Sequence, residues 1–99
     1  MGNQNDCNQQ YHLILKSAVK ESGWSMREIS RRCKKNGVSL SQPYLSKLCT
    51  GEVPPPSDKL NKVLGELLST VSSVTKDELL VAAYIERIPK EVLQKLKEK

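Results

Sequence analysis

The sequence contains few of the residues on which catalytic and metal sites are built. Among its 99 residues there are one histidine, three cysteines and no phenylalanine. Cys7, Cys33 and Cys49 lack the CxxC spacing of a zinc or redox site. No glycine-rich phosphate loop occurs, and no nucleophile is paired with a base in the way a hydrolase requires. We therefore expect no metal, no cofactor and no enzymatic activity.

Long apolar runs are also absent. No stretch approaches the roughly 20 consecutive apolar residues that a membrane-spanning helix needs, and no charged-then-apolar leader stands at the start. We accordingly expect a cytoplasmic protein without membrane contact. Because the aromatic residues are one tryptophan and three tyrosines, the core is predicted to consist mainly of leucine, valine and isoleucine.

The positive charge is unevenly distributed along the chain. The net charge is +5. Residues 1–51 contain eight lysines and arginines against three acids, whereas residues 52–99 contain eight of each. All of the excess positive charge thus lies in the first half, which predicts a polyanionic partner for that half. A solvated basic helix is the alternative interpretation.

A first short helix is predicted between Ser25 and Gly37. Ser25 and Glu28 have the spacing of a capping box, in which each side chain accepts a hydrogen bond from the backbone N–H of the other residue. Apolar residues at helical spacing form one inward stripe, namely Met26, Ile29 and Cys33. Basic residues fall on the opposite side, namely Arg27, Arg31, Lys34 and Lys35. Gly37 allows the left-handed conformation in which many helices end.

A second short helix is predicted from Ser41 to Gly51. Pro43 is tolerated in its first turn, where backbone N–H groups have no partner within the helix. Its inward stripe consists of Leu45, Leu48 and Cys49. Its outward residues are Gln42, Ser46, Lys47 and Thr50. This outward face presents amide and hydroxyl groups and one cation but no acid, a combination suited to base edges and phosphates.

The helices on either side of this pair complete a predicted helical domain over residues 10–71. Residues 1–9 are polar and without periodicity, so we expect a disordered tail. An amphipathic helix is predicted over residues 10–22. After the Pro54–Pro56 connector, Ser57 caps a helix with the most regular apolar period in the chain. Its apolar residues are Leu60, Val63, Leu64, Leu67, Leu68 and Val71.

Residues 72–99 predict a helical C-terminal extension that is too small for a second domain. Thr75 and Glu78 form a second capping box. The helix that it begins is predicted to turn inward Leu79, Leu80, Ala83 and Tyr84. Pro89 begins a final short helix, in which the apolar residues in line are Val92, Leu93 and Leu96. The extension either packs on the core or presents an apolar surface to a second copy.

The two-helix segment resembles the phage-repressor helix-turn-helix family, the Xre or lambda-repressor-like group. The matching segments are SMREI at residues 25–29, YLSKL at residues 44–48, and the Thr50-Gly51 ending. The likeness extends over about residues 11–70, although the turn between the two helices is several residues longer than is usual in the family. The resemblance implies an all-α, lambda-repressor-like bundle of about five helices plus the short C-terminal helix.

The resemblance also implies a sequence-specific transcriptional regulator, a repressor that binds double-stranded DNA at the nucleoid of a bacterium or of a phage host. The second helix would enter the major groove. We expect base contacts from three residues, namely Gln42, Ser46 and Lys47, with Lys47 on either guanine or phosphate. We expect backbone contacts from Arg27, Arg31, Tyr44 and Thr50, although Tyr44 has the alternative of flanking the core. Because one recognition helix covers half a site, we expect a homodimer through the C-terminal helices.

Two other functions are compatible with the sequence. A repressor-like fold without DNA specificity can serve as a protein-interaction module, an anti-repressor or an adaptor. The longer turn and the lack of arginine on the outward face of the second helix favour this alternative. RNA binding is a weaker alternative, because the chain has no aromatic platform for base stacking.

Overall fold

The computed structural model describes residues 10–87. Within this range the chain forms five α-helices and no strand, which confirms the predicted all-α class. The helices are α1 (Gln10–Ser22), α2 (Met26–Lys35), α3 (Gln42–Thr50), α4 (Asp58–Ser69) and α5 (Lys76–Arg87). The predicted tail over residues 1–9 and the predicted helix after Pro89 lie outside the described residues. None of the described helices combines the length and the apolar character that a bilayer span needs.

Hydroxyl side chains begin four of the helices at the predicted positions. Ser25, Ser41 and Ser57 are the N-caps of α2, α3 and α4, and each hydroxyl oxygen accepts the backbone N–H three residues later. A complete capping box begins α5. Thr75 Oγ1 accepts from the N–H of Glu78 at 3.1 Å, and the Glu78 carboxylate accepts from the N–H of Thr75 at 2.9 Å.

The connection between α2 and α3 is fixed in two ways. Gly37 ends α2, and two buried side chains attach the connection to the core. Gly37 has a φ of +84°. Its N–H donates to the carbonyl oxygen of Lys34 at 3.0 Å, and the N–H of Val38 donates to that of Cys33 at 3.1 Å. This pair of bonds is a Schellman motif. Val38 and Leu40 are both buried, so the long turn is fixed to the core at two points.

The core is built around α4, which packs on α1, α2 and α5. Its side chains Leu60, Leu64 and Leu68 are buried, as the apolar period predicts. Full burial of each contributes roughly 1.5–3 kcal/mol. Val63 and Leu67 are only partly buried, on the flanks of the same helix. Through this packing α4 forms an apolar support for α2.

One polar network crosses the core. Asn61 is the buried polar residue of the described range. The Tyr11 hydroxyl donates to Asn61 Oδ1 at 2.8 Å, and Asn61 Nδ2 donates to the carbonyl oxygen of Leu79 at 3.1 Å. Burial is the main reason that the pKa of the Tyr11 hydroxyl is raised. Because both ends of the amide are satisfied, the network ties α1, α4 and α5 together without leaving a polar group unpaired.

The helix α5 shares the core of the other four helices. It packs along α4 and α1 and buries Leu79, Ala82 and Ala83. The prediction that Tyr84 points inward is wrong, because that side chain is 65% exposed. The buried face of the helix passes through residues 79, 82 and 83, and residue 84 lies well away from it at about 100° per residue.

Candidate nucleic-acid interface

The outward face of α3 is open to solvent. Gln42, Ser46 and Lys47, the three predicted base-contacting residues, are all exposed. Ser46 and Lys47 lie away from the buried stripe of the helix, whereas Gln42 is exposed as its first residue. The helix α3 contains no acidic residue. A ligand along this face would therefore meet an amide, a hydroxyl and one positive charge, with no carboxylate of α3 in competition.

The two other predicted contacts on α3 are engaged with other parts of the protein. Tyr44 is partly buried and packs against the core, which is one of the two roles expected for it. The Thr50 hydroxyl donates to a carboxylate oxygen of Glu52 at 2.8 Å. A phosphate at Thr50 would have to approach that carboxylate, and like charges repel. Thr50 is therefore less suited to contact the DNA backbone than its position in the sequence suggests.

The helix α2 turns a basic face to solvent, and it packs directly on α3. The exposed cations are Arg27, Arg31, Lys34 and Lys35. Arg32 is partly buried, and its guanidinium stacks over the Trp24 ring at 4.1 Å from the ring centre. Five basic residues and a single acid make this short helix strongly positive. The positive surface and the acid-free face of α3 therefore belong to one packed pair of helices.

Glu28, the single acidic residue of α2, forms ion pairs with two arginines of the same helix. The Glu28 carboxylate accepts hydrogen bonds from Nε of Arg31 at 3.2 Å and from Nη2 of the same residue. It also lies 2.6 Å from Nε of Arg32. Hydrogen bonding from Arg31 is the main reason that the pKa of Glu28 lies below its usual range, and the same contact raises the pKa of Arg31. Arg31 must leave this carboxylate to bind a phosphate fully.

Only half of the predicted capping box at the start of α2 is present. The Ser25 hydroxyl oxygen accepts from the N–H of Glu28 at 3.0 Å. The Glu28 carboxylate is instead turned toward the arginines, so the reciprocal bond to the backbone of Ser25 is replaced. The carboxylate can make several charge-assisted contacts with the two guanidinium groups, whereas the capping box offers it a single backbone N–H, which explains the preference.

A groove of about 700 Å³ lies between α2 and the connection that leads to α3. One wall is the α2 face with the basic side chains Arg27, Arg31 and Lys34. The other wall is the chain from Gly37 to Ser41. The Ser30 hydroxyl donates to the carbonyl oxygen of Leu40 and thereby joins the two walls. Of the three cations, Arg27 and Lys34 form no ion pair within residues 10–87.

The buried thiols add no reactive chemistry to this surface. Cys33 and Cys49 are both free and buried. Burial raises the pKa of the Cys33 thiol to about 11 and also raises the pKa of Cys49. A thiol that stays protonated is a poor nucleophile and a poor metal ligand. In the part of the chain that the structure describes, no three His, Cys, Asp or Glu residues are grouped as a metal site would require.

The predicted site omits the residues that shape the groove. Lys34 lines it, and Ser30 joins its walls, but neither is among the predicted contacts. The helical spacing of residues 27, 30, 31 and 34 places them on one face of α2 and is the signal that identifies this wall. The opposite wall has no such signal, because it depends on how Leu40 packs into the core.

Comparisons of the chain with protein-family models, with curated proteins and with solved structures found no match. The likeness to the phage-repressor family therefore rests on the residues of the two-helix segment themselves.

Proposed function

We propose that the protein binds double-stranded DNA in a sequence-specific manner and regulates transcription. The observation that carries this proposal is that α3, whose exposed residues include no acid, packs on the strongly basic helix α2. The major groove of B-DNA admits an α-helix and presents hydrogen-bonding base edges at its floor. Phosphates run along both rims of that groove. A polar helix face flanked by cations is complementary to this arrangement.

In the proposed complex α3 lies in the major groove. Gln42, at its N-terminal end, reads a base edge, since an amide can bind adenine through two hydrogen bonds. Ser46 and Lys47 lie one turn further along and contact the neighbouring base pairs, with Lys47 on guanine or on a phosphate. A good bidentate contact contributes roughly 1–3 kcal/mol of discrimination against the wrong base.

The groove beside α2 holds the DNA backbone in this proposal. Arg27 and Lys34 supply the first phosphate contacts, because no ion pair within residues 10–87 competes for them. Arg31 joins them when a phosphate displaces Glu28. Each charged phosphate contact adds about −0.9 to the slope of log K against log salt concentration.

A lambda-repressor-like fold, an Xre-type repressor of a bacterium or phage, and a place at the nucleoid in the cytoplasm belong to the same proposal. Their support is the sequence of residues 25–51 together with the packing of α2 on α3. With nine residues, α3 can contact only part of an operator. We therefore propose a homodimer, formed through the C-terminal region, that reads an inverted repeat with half-sites about one turn of DNA apart.

Selection from a random pool of duplex DNA, at near-physiological salt, tests the proposal. We expect a short enriched motif, and an inverted repeat if the protein binds as a dimer. Gln42→Ala should lower the ratio of specific to random-duplex affinity by about tenfold. An unchanged ratio would show that the assigned register of α3 is wrong, and a pool without any enriched motif would refute sequence-specific binding.

The phosphate contacts need a separate variant. Lys34→Ala should weaken binding to the selected and the random duplex about equally, and should flatten the salt slope by about 1. Lys62→Ala is the matched control, because it removes the same charge from an exposed position on α4 that does not line the groove. Equal effects of the two variants would mean that total charge alone accounts for the affinity.

The second candidate function is a protein-interaction module, either an anti-repressor or an adaptor. The exposure of three large apolar side chains, Leu13, Val81 and Tyr84, favours it. A protein of this kind should bind DNA weakly, with a steep salt dependence and no preferred sequence. The same selection experiment separates the two functions.

A further inference from the structure

The groove between α2 and the connection to α3 is larger than a contact with the DNA backbone requires. Its volume is about 700 Å³, and small-molecule sites in proteins usually measure about 300–1,000 Å³. A DNA duplex is far too large to enter a space of this size and can contact only its rim. The space between the two walls is therefore suited to a compact ligand.

The charge of the groove indicates which kind of ligand fits it. Arg27, Arg31 and Lys34 line it, against the single carboxylate of Glu28. Arg27 and Lys34 form no ion pair within residues 10–87, so their charges are available to an anion. Guanidinium groups bind phosphate through two parallel hydrogen bonds, and a lysine adds a point charge. The ligand expected here is therefore a phosphate compound.

The spacing of the three cations favours a chain of phosphates over a single one. Residues 27, 31 and 34 lie on one face of α2 and extend over about 10.5 Å of the helix axis at 1.5 Å per residue. A single phosphate would require three like charges to converge on one point, which costs side-chain entropy and repulsion. A linear chain of two or three phosphates offers separate oxygens to each cation.

The opposite wall adds neutral hydrogen-bond donors. Ser39 and Ser41 are exposed and line the groove. The Ser41 hydroxyl oxygen accepts the N–H of Tyr44 at 3.3 Å, which leaves its own O–H available as a donor. Among the described residues, none with an aromatic ring lines the groove, so a nucleobase would find no surface on which to stack. Recognition in this groove therefore depends on the phosphate chain.

We propose that the groove binds a short linear polyphosphate, of which a triphosphate is the example to test, and that the bound anion opposes DNA binding. Arg27 and Lys34 are the first phosphate contacts of the proposed DNA complex. A triphosphate between the walls neutralises both of them and thereby weakens the hold on the duplex. This regulatory effect rests on the proposed function, whereas the binding of the triphosphate does not. Inorganic triphosphate and a nucleoside triphosphate both carry the required chemistry.

Isothermal titration calorimetry of the full chain with inorganic triphosphate, at near-physiological salt, tests the binding. We expect one saturable site per chain. Lys34→Ala should weaken it by about three- to tenfold, because a charge-assisted contact is lost. Lys35→Ala is the matched control, since Lys35 is exposed on the same helix but does not line the groove; the affinity should change by less than about twofold. A lack of saturable binding, or equal losses in the two variants, would overturn the proposal.

The same titration with ATP and AMP identifies the source of the phosphate chain. Tighter binding of ATP than of inorganic triphosphate supports a nucleoside triphosphate, and equal or weaker binding supports an inorganic polyphosphate. AMP carries the same base and sugar with one phosphate and should bind more weakly than either. Binding of AMP as tight as that of ATP would overturn recognition through the phosphate chain.

Displacement of a labelled random duplex, followed by fluorescence anisotropy, tests the regulatory effect. Inorganic triphosphate should lower the duplex affinity more than sulfate does at the same ionic strength, and Lys34→Ala should reduce this difference. Equal displacement by the two anions would overturn the regulatory effect and leave the proposed DNA binding intact. Saturable triphosphate binding by a protein that binds no duplex would instead refute the proposed function and, with it, the regulatory effect.

Discussion

The Glu28 carboxylate occupies an arginine that the proposed DNA complex would use. Glu28→Gln removes its negative charge but keeps its length and an oxygen that can accept hydrogen bonds. The ion pairs with Arg31 and Arg32 are lost. Arg31 then reaches the groove without competition, and a repulsive charge near the DNA backbone disappears. We therefore expect Glu28→Gln to bind duplex DNA more tightly than the unmodified protein.

The size of the effect follows from counting charges. One additional phosphate contact should steepen the slope of log K against log salt concentration by up to about 0.9. Between about 50 and 200 mM salt, a fourfold change, that difference reduces the advantage of the variant by about threefold. Fluorescence anisotropy with a labelled random duplex at several salt concentrations measures both the gain and its salt dependence, and it requires no knowledge of the operator.

The control is Glu66→Gln, which makes the same charge change elsewhere. Glu66 lies on α4, outside the groove, and its carboxylate is 3.6 Å from Lys76 Nζ. We expect its salt slope to stay close to that of the unmodified protein. Identical behaviour of the two variants would show that Arg31 is not a phosphate contact. Weaker DNA binding by Glu28→Gln would refute the reasoning more directly, because it would mean that Glu28 holds Arg31 in its binding position.

Three predictions concern stability, measured by urea denaturation. Tyr11→Phe leaves the buried Asn61 carbonyl without its donor and should lower the free energy of unfolding by roughly 1–3 kcal/mol; additivity with Asn61→Leu in a double-mutant cycle would contradict this coupling. Gly51→Ala puts a Cβ 3.1 Å from a histidine ring of α1 at a φ of +81°. It should lower the free energy of unfolding more than Gly37→Ala does. Gly37 has a φ of +84°, but a Cβ there would meet no atom within 4 Å, so backbone strain alone costs about 1–2 kcal/mol. Burial raises the pKa of the Cys33 thiol to about 11. The unfolded chain loses this proton near the ordinary thiol pKa of about 8.5, so the buried thiol contributes fully to stability below that pH. Above it the free energy of unfolding decreases by up to about 1.4 kcal/mol per pH unit. Cys33→Val should make the alkaline loss of stability less steep, and an unchanged slope would argue against this assignment.

Most helix boundaries could be predicted because they depend on short-range chemistry, although α4 ends at Ser69 and not at Val71, the last residue of its predicted apolar period. Ser25, Ser41 and Ser57 cap their helices at the predicted positions, since a cap bond spans three residues and needs nothing distant. Gly37 and Gly51 adopt the positive φ that a helix end requires. The apolar periods of α1 to α4 likewise identified most of the core.

The errors arose where several partners compete for one group. Glu28 has a choice between a backbone N–H and two guanidinium groups, and the spacing of a capping box does not decide between them. In α5, apolar residues occupy more than one face, so the position of α1 and α4 decides that Tyr84 is exposed and Ala82 is buried. Both outcomes depend on neighbours that a local pattern does not contain.

The part of the candidate site that was hardest to predict is also the part that fixes its geometry. The position of α3 relative to α2 depends on Leu40, which is buried and accepts the hydrogen bond from Ser30. The exposed residues Gln42 and Lys47 do not pack in the core, so the fold places little constraint on their identity. Scaffold and proposed specificity therefore reside in different residues of one short segment. If α3 reads DNA, substitutions of the connection should change the affinity for all duplexes alike, whereas substitutions on the outward face of α3 should change the preference among them.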